Sequence, residues 1–154
     1  MTVNGPNGTA EREIRSSRVF DASRERLFEA WSDPEHLASW WGPKDFTNTF
    51  QEFDLRPGGI WRFVMHGPDG TDYPNESIFV EVVDPERIVF RHISAPSFQM
   101  TAIFTEQCGK TRLEWRMLFD TAVECEKFRR VCVPGNEQNF DRLEAQLTKM
   151  AAQA

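Results

Sequence analysis

Hydrophobic and polar positions alternate most clearly near the end of the first 120 residues. Leu113, Trp115, Met117 and Phe119 interleave with Arg112, Glu114 and Arg116, which describes a strand with one buried and one wet face. Working back from it, Met100, Ala102 and Phe104 share an inward face. Ile78, Val80 and Val82 form another, with Glu81 outward, and Trp61, Phe63 and Met65 a third. Turn signals separate these runs: Arg56-Pro57-Gly58-Gly59, Gly67-Pro68-Asp69-Gly70, Asp84-Pro85-Glu86-Arg87 and Cys108-Gly109-Lys110. Residues 47–55, 59–66, 75–83, 87–93, 98–107 and 111–120 therefore read as six consecutive antiparallel strands joined as hairpins.

Before this block, Ile14 to Phe20 is strand-like. Ser23 can cap a helix that carries Leu27, Phe28 and Trp31 on one side. Asp33-Pro34-Glu35 starts a second helix, with a capping carboxylate, proline in the first turn and an acid at the positive end of the dipole. Leu37, Trp40 and Trp41 form its apolar side, and Gly42-Pro43 ends it. After the strands, Thr121-Ala122-Val123-Glu124 has the spacing of a capping box, and Pro134-Gly135 predicts a kink or loop. Phe140, Leu143, Leu147 and Met150 then recur at helical spacing. The elements imply an α+β fold: a curved antiparallel sheet, two short helices and a long C-terminal helix laid across the concave face, enclosing a cavity. Residues 1–11, polar and without apolar period, read as a flexible lead, and residues 12–152 as one domain.

Composition sharpens this outline. Thirteen Phe and five Trp stand against a single Tyr, so the aromatic content favours a large apolar interior. A net charge of −6, with no Lys/Arg cluster, argues against a nucleic-acid or anionic-membrane partner. No apolar run approaches a spanning helix, and the first residues do not resemble an export signal. Cys108, Cys125 and Cys132 form no C-x-x-C pair, which suits reduced thiols and a cytoplasmic location.

Candidate chemistry is sparse. His36, His66 and His92 sit on a helix and on two strands with another strand between them, so no shared metal and no cofactor is expected. No nucleophile elbow, H-E-x-x-H or phosphate-binding glycine loop occurs. Glu76, Glu114, Asp54 and Arg62 read as solvated outer-face charges. A lone acid or base in a cavity stays open. Trp115, in the middle of the best-patterned strand, combines a large apolar face with one N–H donor, a pairing suited to a mostly apolar ligand with a polar end.

The run from Ser23 to Pro43 (SRERLFEAWSDPEHLASWWGP), with Asp54-Leu55-Arg56-Pro57-Gly58-Gly59 and Met65-His66-Gly67-Pro68-Asp69-Gly70, resembles the bacterial homologues of the 90-kDa heat-shock protein ATPase activator. That family belongs to the START-like, helix-grip (SRPBCC) superfamily. The resemblance implies the same fold and, in the superfamily, apolar ligands held between sheet and helix, with some members catalysing cyclisation or related reactions there. It also implies Gly-Trp at the start of the final helical run, where this chain has Gly135-Asn136. Fold analogy does not select among these functions.

The expectation is thus a binding protein for a small apolar molecule, contacted by Trp61, Phe63, Met65, Ile78, Val80, Phe104, Leu113, Trp115, Met117, Asn136 and Phe140. A cavity enzyme and a chaperone-associated interaction domain are the alternatives, and a homodimer is compatible with all three.

Overall fold

The computed structural model describes residues 9–153. Of the expected flexible lead, residues 1–8 lie outside the described residues, and Thr9–Arg12 forms one 3-10 turn. Arg12 Nη1 donates to the Phe119 carbonyl at 2.7 Å, tying that turn to the sheet.

Ten further elements follow in chain order. They are β1 (Glu13–Phe20), α1 (Arg24–Ser32), α2 (Pro34–Trp40), β2 (Thr47–Phe53), β3 (Ile60–His66), β4 (Asp72–Val83), β5 (Arg87–His92), β6 (Phe98–Gln107), β7 (Lys110–Phe119) and α3 (Ala122–Gln153). The strands form one curved antiparallel sheet in the order β1-β7-β6-β5-β4-β3-β2. Strands β2 to β7 are a plain meander, and β1 closes onto β7, with Ser16 opposite Trp115.

The helix starts are where the capping residues place them. Ser23 Oγ accepts from the Arg26 N–H at 3.1 Å, Asp33 Oδ1 from the Glu35 N–H at 2.9 Å, and Thr121 Oγ1 from the Glu124 N–H at 3.1 Å. The interruption expected at Pro134-Gly135 does not become a loop, because α3 continues through it. Proline removes one backbone donor from a helix, but both flanks are held. Phe128 stacks on Phe119 at 6.0 Å before it, and Asn136 and Phe140 are buried after it.

On β7 the alternation holds: Leu113, Trp115, Met117 and Phe119 are buried, while Arg112, Glu114 and Arg116 are exposed or half-buried. On β4 it does not. Ser77 and Phe79 are the buried residues, Ile78 is half-buried, and Val80 is 50% exposed. The pairing with β5 slips between Phe79 and Glu81, so Val80 is an extra residue in a β-bulge. The inserted residue changes the parity of the strand. Val82 lies beyond the bulge and packs on the core as expected.

Helix α3 crosses the concave face. Phe140 meets Phe20 edge-on at 5.8 Å and Trp115 at 4.8 Å. Arg18 on β1 reaches Asp141 at 2.9 Å and Glu137 at 3.0 Å, while its guanidinium carbon lies 5.5 Å from the Phe140 ring centre. Helix α1 covers β6 through Phe28 and Trp31, both edge-on to Phe104.

Candidate functional site

The space beneath the helices is filled unevenly. Under α1, α2 and the second half of α3, large side chains interdigitate. Trp31 touches Trp40, Trp41, Phe104 and Trp115 at ring separations of 5.3–5.9 Å. Under the first half of α3 the sheet is not filled, and an apolar chamber of about 240 Å³ remains.

Its floor comes from five strands. Trp61, Phe63 and Met65 belong to β3, Asn75 and Ser77 to β4, Phe90 and His92 to β5, Phe98 and Met100 to β6, and Trp115 and Met117 to β7. The roof is Val131, Cys132, Gly135, Asn136 and Asn139 of α3. A side wall is the Trp41-Gly42-Pro43 segment after α2, and Pro96 contributes from the β5–β6 connection.

That side wall is fastened to α3 by hydrogen bonds. Asn139 Oδ1 accepts from the Gly42 N–H at 3.2 Å, and its Nδ2 donates to the Trp40 carbonyl at 2.8 Å. Arg142 Nη1 donates to the carbonyls of Trp41, Gly42 and Pro43 at 3.1, 2.9 and 3.0 Å. Burial lowers the Arg142 pKa from its usual value, against the pull of Asp45. Gly42 has φ +103°, and a Cβ there would meet Met65 Cε at 2.8 Å, so the turn beside the chamber needs glycine. Trp41, held in place by this segment, lies edge-on to Trp61 at 5.1 Å and tilted to Trp115 at 5.5 Å.

The chamber carries a polar strip. Across the sheet, Trp61, Ser77, His92 and Phe98 are successive cross-strand partners. His92 stacks on Phe98 at 4.8 Å. The Pro96 carbonyl, 2.8 Å from His92 Nδ1, can only accept, so that nitrogen carries the proton. Nε2 lies 2.7 Å from Asn75 Oδ1 and 3.3 Å from Ser94 Oγ. Burial holds the His92 pKa below 6.5, outweighing the backbone hydrogen bonds at Pro96 and Ser94, so the ring is neutral at pH 7. Cys132 is an inert thiol, pushed up to about 11 chiefly by burial.

Of the residues expected at the site, Trp61, Phe63, Met65, Trp115, Met117 and Asn136 line the chamber. Ile78 and Val80 are turned to the convex face by the bulge. Phe104, Leu113 and Phe140 are wholly buried but lie in the packed part: Phe104 under Phe28 and Trp31, and Phe140 between Phe20 and Trp115. Asn136, at the position where the resemblance implies Trp, donates from Nδ2 to Ser16 Oγ at 3.2 Å and to Met117 Sδ at 3.6 Å.

The polar strip and the Trp41 wall were not anticipated. His92 alternates with the inward Phe90, and Ser77 with Phe79, so period two from those phenylalanines would have found both.

His36 bonds Gln146 at 2.9 Å, and His66 bonds Asp72 at 2.8 Å and Thr49 at 2.7 Å. No grouping of three His, Cys, Asp or Glu able to hold a metal occurs among the described residues. No described helix is long and apolar enough to cross a membrane.

Residues 21–148 match the model of the family described as Activator of Hsp90 ATPase homolog 1-like protein. No curated protein matches the chain. Solved bacterial structures do. A Nitrosomonas europaea protein is 23% identical with a TM-score of 0.86, covering 93% of this chain and 98% of that one. A Mycobacterium smegmatis protein is 25% identical, with a TM-score of 0.83 and coverage of 92% and 94%. The AHSA1 protein of Silicibacter pomeroyi is 22% identical, with a TM-score of 0.73 and coverage of 90% and 99%.

Proposed function

The chain belongs to the Activator of Hsp90 ATPase homolog 1-like family, and from that premise we propose that it binds a small, mostly apolar molecule in the chamber between its sheet and α3. The observation that carries this reading is a concave apolar pocket, open to solvent, between the sheet and the first half of α3. Its floor includes Trp61, Phe63, Phe90 and Trp115, and it lies beside a wall fixed by Asn139 and Arg142. A preformed apolar concavity with a few placed polar groups is the usual form of a small-molecule site.

The enzyme alternative has one supporting feature, the Asn75–His92 pair inside the chamber. With Nδ1 protonated toward Pro96, the lone-pair nitrogen is Nε2, which is crowded by Ser94 Oγ and Asn75 Oδ1, and no carboxylate or cation lines the chamber to act with it. Binding is the better-supported reading.

Native mass spectrometry of protein purified without denaturation, compared with the same protein refolded from urea, tests the proposal. A discrete adduct lost on refolding, recovered by solvent extraction as an apolar compound, is the expected result. An unliganded native protein that also fails to take up any apolar compound offered to it would overturn the proposal.

A further inference from the structure

The face of the sheet opposite the chamber carries a second polar cluster. On β3, Phe63 and Met65 line the chamber, so His66, the next residue along, points to the other face. His66 pairs directly with Thr47 on β2 and with Asp72 on β4. Thr49 is two residues from Thr47 and shares its face. There Thr49 Oγ1 lies 2.7 Å from His66 Nε2, and Asp72 Oδ1 lies 2.8 Å from His66 Nδ1.

Donor and acceptor chemistry orders this chain of three. An ionised carboxylate can only accept, so Nδ1 carries the ring proton. In the neutral imidazole Nε2 is then the lone-pair nitrogen, and the Thr49 hydroxyl donates to it. A hydroxyl resting on a base whose other nitrogen is held by a carboxylate is the arrangement of an activated nucleophile. It sets Thr49 apart from the hydroxyls of Ser39, Thr111 and Thr148, which donate to backbone carbonyls. Ser94 also meets an imidazole, that of His92, but the other nitrogen of that ring faces the Pro96 carbonyl and not a carboxylate.

The cluster is both fixed and accessible. His66 ends β3 and Asp72 begins β4. In the turn between them the Gly67 N–H donates to the Thr71 carbonyl at 2.8 Å, the Gly70 N–H to the Gly67 carbonyl at 3.0 Å, and the Thr71 N–H to Asp69 Oδ1 at 3.0 Å. Thr49 is exposed, and the side chains of His66 and Asp72 are 35% and 62% exposed, so an acyl donor reaches Oγ1 from solvent. On this open face water, and not a set of fixed donors, solvates a tetrahedral oxyanion, which restricts the chemistry to esters with good leaving groups.

We propose that Thr49, His66 and Asp72 form an acyl-transfer site for small activated esters, such as aryl esters or thioesters. Thr49 Oγ1 attacks the ester carbonyl carbon while its proton passes to His66 Nε2. The bond from that carbon to the leaving oxygen or sulfur then breaks, and the leaving group takes the proton from Nε2. The products are O-acyl-Thr49, a free alcohol or thiol, and the imidazole in its starting form. Asp72 keeps the proton on Nδ1 and is a positioning residue. The site lies across the sheet from the chamber and stands or falls separately from the binding reading.

Incubation with p-nitrophenyl acetate at pH 8, followed by peptide mass mapping, tests this. Acetyl on Thr49 is expected in the native protein. Its rate of formation should fall at least about tenfold in His66→Gln and about threefold or more in Asp72→Asn, while Thr49→Ser should be acetylated at the same position. Acetylation of lysine side chains should be equal in all four proteins, which controls for exposure to the reagent. No acetyl on Thr49 would overturn the proposal, and so would acetylation of Thr49 at the native rate in His66→Gln. Equal p-nitrophenolate release by the native protein and Thr49→Val would also overturn it, since His66 would then be reacting with the ester alone.

Discussion

Asn139 on α3 holds Gly42 on the chamber wall, accepting from the Gly42 N–H at 3.2 Å while donating to the Trp40 carbonyl two residues earlier at 2.8 Å. One buried amide thus satisfies a donor and an acceptor that the end of α2 leaves without helical partners. Asn139→Ala would leave both unpaired in the interior. The expected cost is about 1–3 kcal/mol of stability, read as a lower urea midpoint at unchanged slope. Probe affinity should fall as well, since Trp41 loses one of its anchors. A midpoint equal to that of the native protein would remove Asn139 from this role.

The buried imidazole of His92 predicts a pH dependence. Its pKa in the folded protein lies below 6.5, with burial as the main cause, so between those two values the unfolded chain binds the proton and the folded chain does not. Folding stability contributed by this group is therefore fully present above 6.5 and falls as the solution is acidified toward the folded pKa. Replacing it in His92→Asn should reduce the stability lost between pH 7.5 and pH 5.5, by at most about 1.4 kcal/mol for one proton over the one pH unit below 6.5. An identical loss in both proteins would mean that His92 titrates normally.

Trp115 faces the chamber and also packs against Trp31, Trp41 and Phe140. Trp115→Phe keeps a ring at the site, so the variant should fold and lose less than the about 3–5 kcal/mol expected for truncation to Ala. Affinity for an apolar fluorescent probe should change by about threefold or more. Lost stability with unchanged affinity would assign Trp115 to packing alone.

The legible parts of the molecule are those governed by local rules. Ser23, Asp33 and Thr121 cap helices because a side-chain oxygen next to free N–H groups works the same way in any fold. Leu113 to Phe119 could be oriented because nothing interrupts the strand's period. Val80 shows where such reading stops. Ile78, Val80 and Val82 are all apolar at alternate positions, yet the bulge at Val80 is set by pairing with β5, a non-local contact. The chamber was legible only as a concave face. Which residues border space and which border other side chains depends on how α1 and α3 sit. Phe104 and Met100 share a face of β6, but α1 covers the first while the second lines the chamber. Of the kink or loop expected at Pro134-Gly135, the loop does not form, because α3 continues through it with tertiary contacts on both sides.

The central claim, that the space under the first half of α3 receives a small apolar molecule, is tested most directly by titrating a neutral fluorescent probe, N-phenylnaphthylamine, into the native protein and Cys132→Phe. Cys132 is on the chamber roof, and its thiol is pushed up to about 11 and unreactive, so the added ring fills the chamber without removing a reactive group. The account predicts saturable one-to-one binding to the native protein and its loss in Cys132→Phe, with helical circular dichroism unchanged. Equal probe binding by a folded Cys132→Phe protein, or none by the native one, would contradict it.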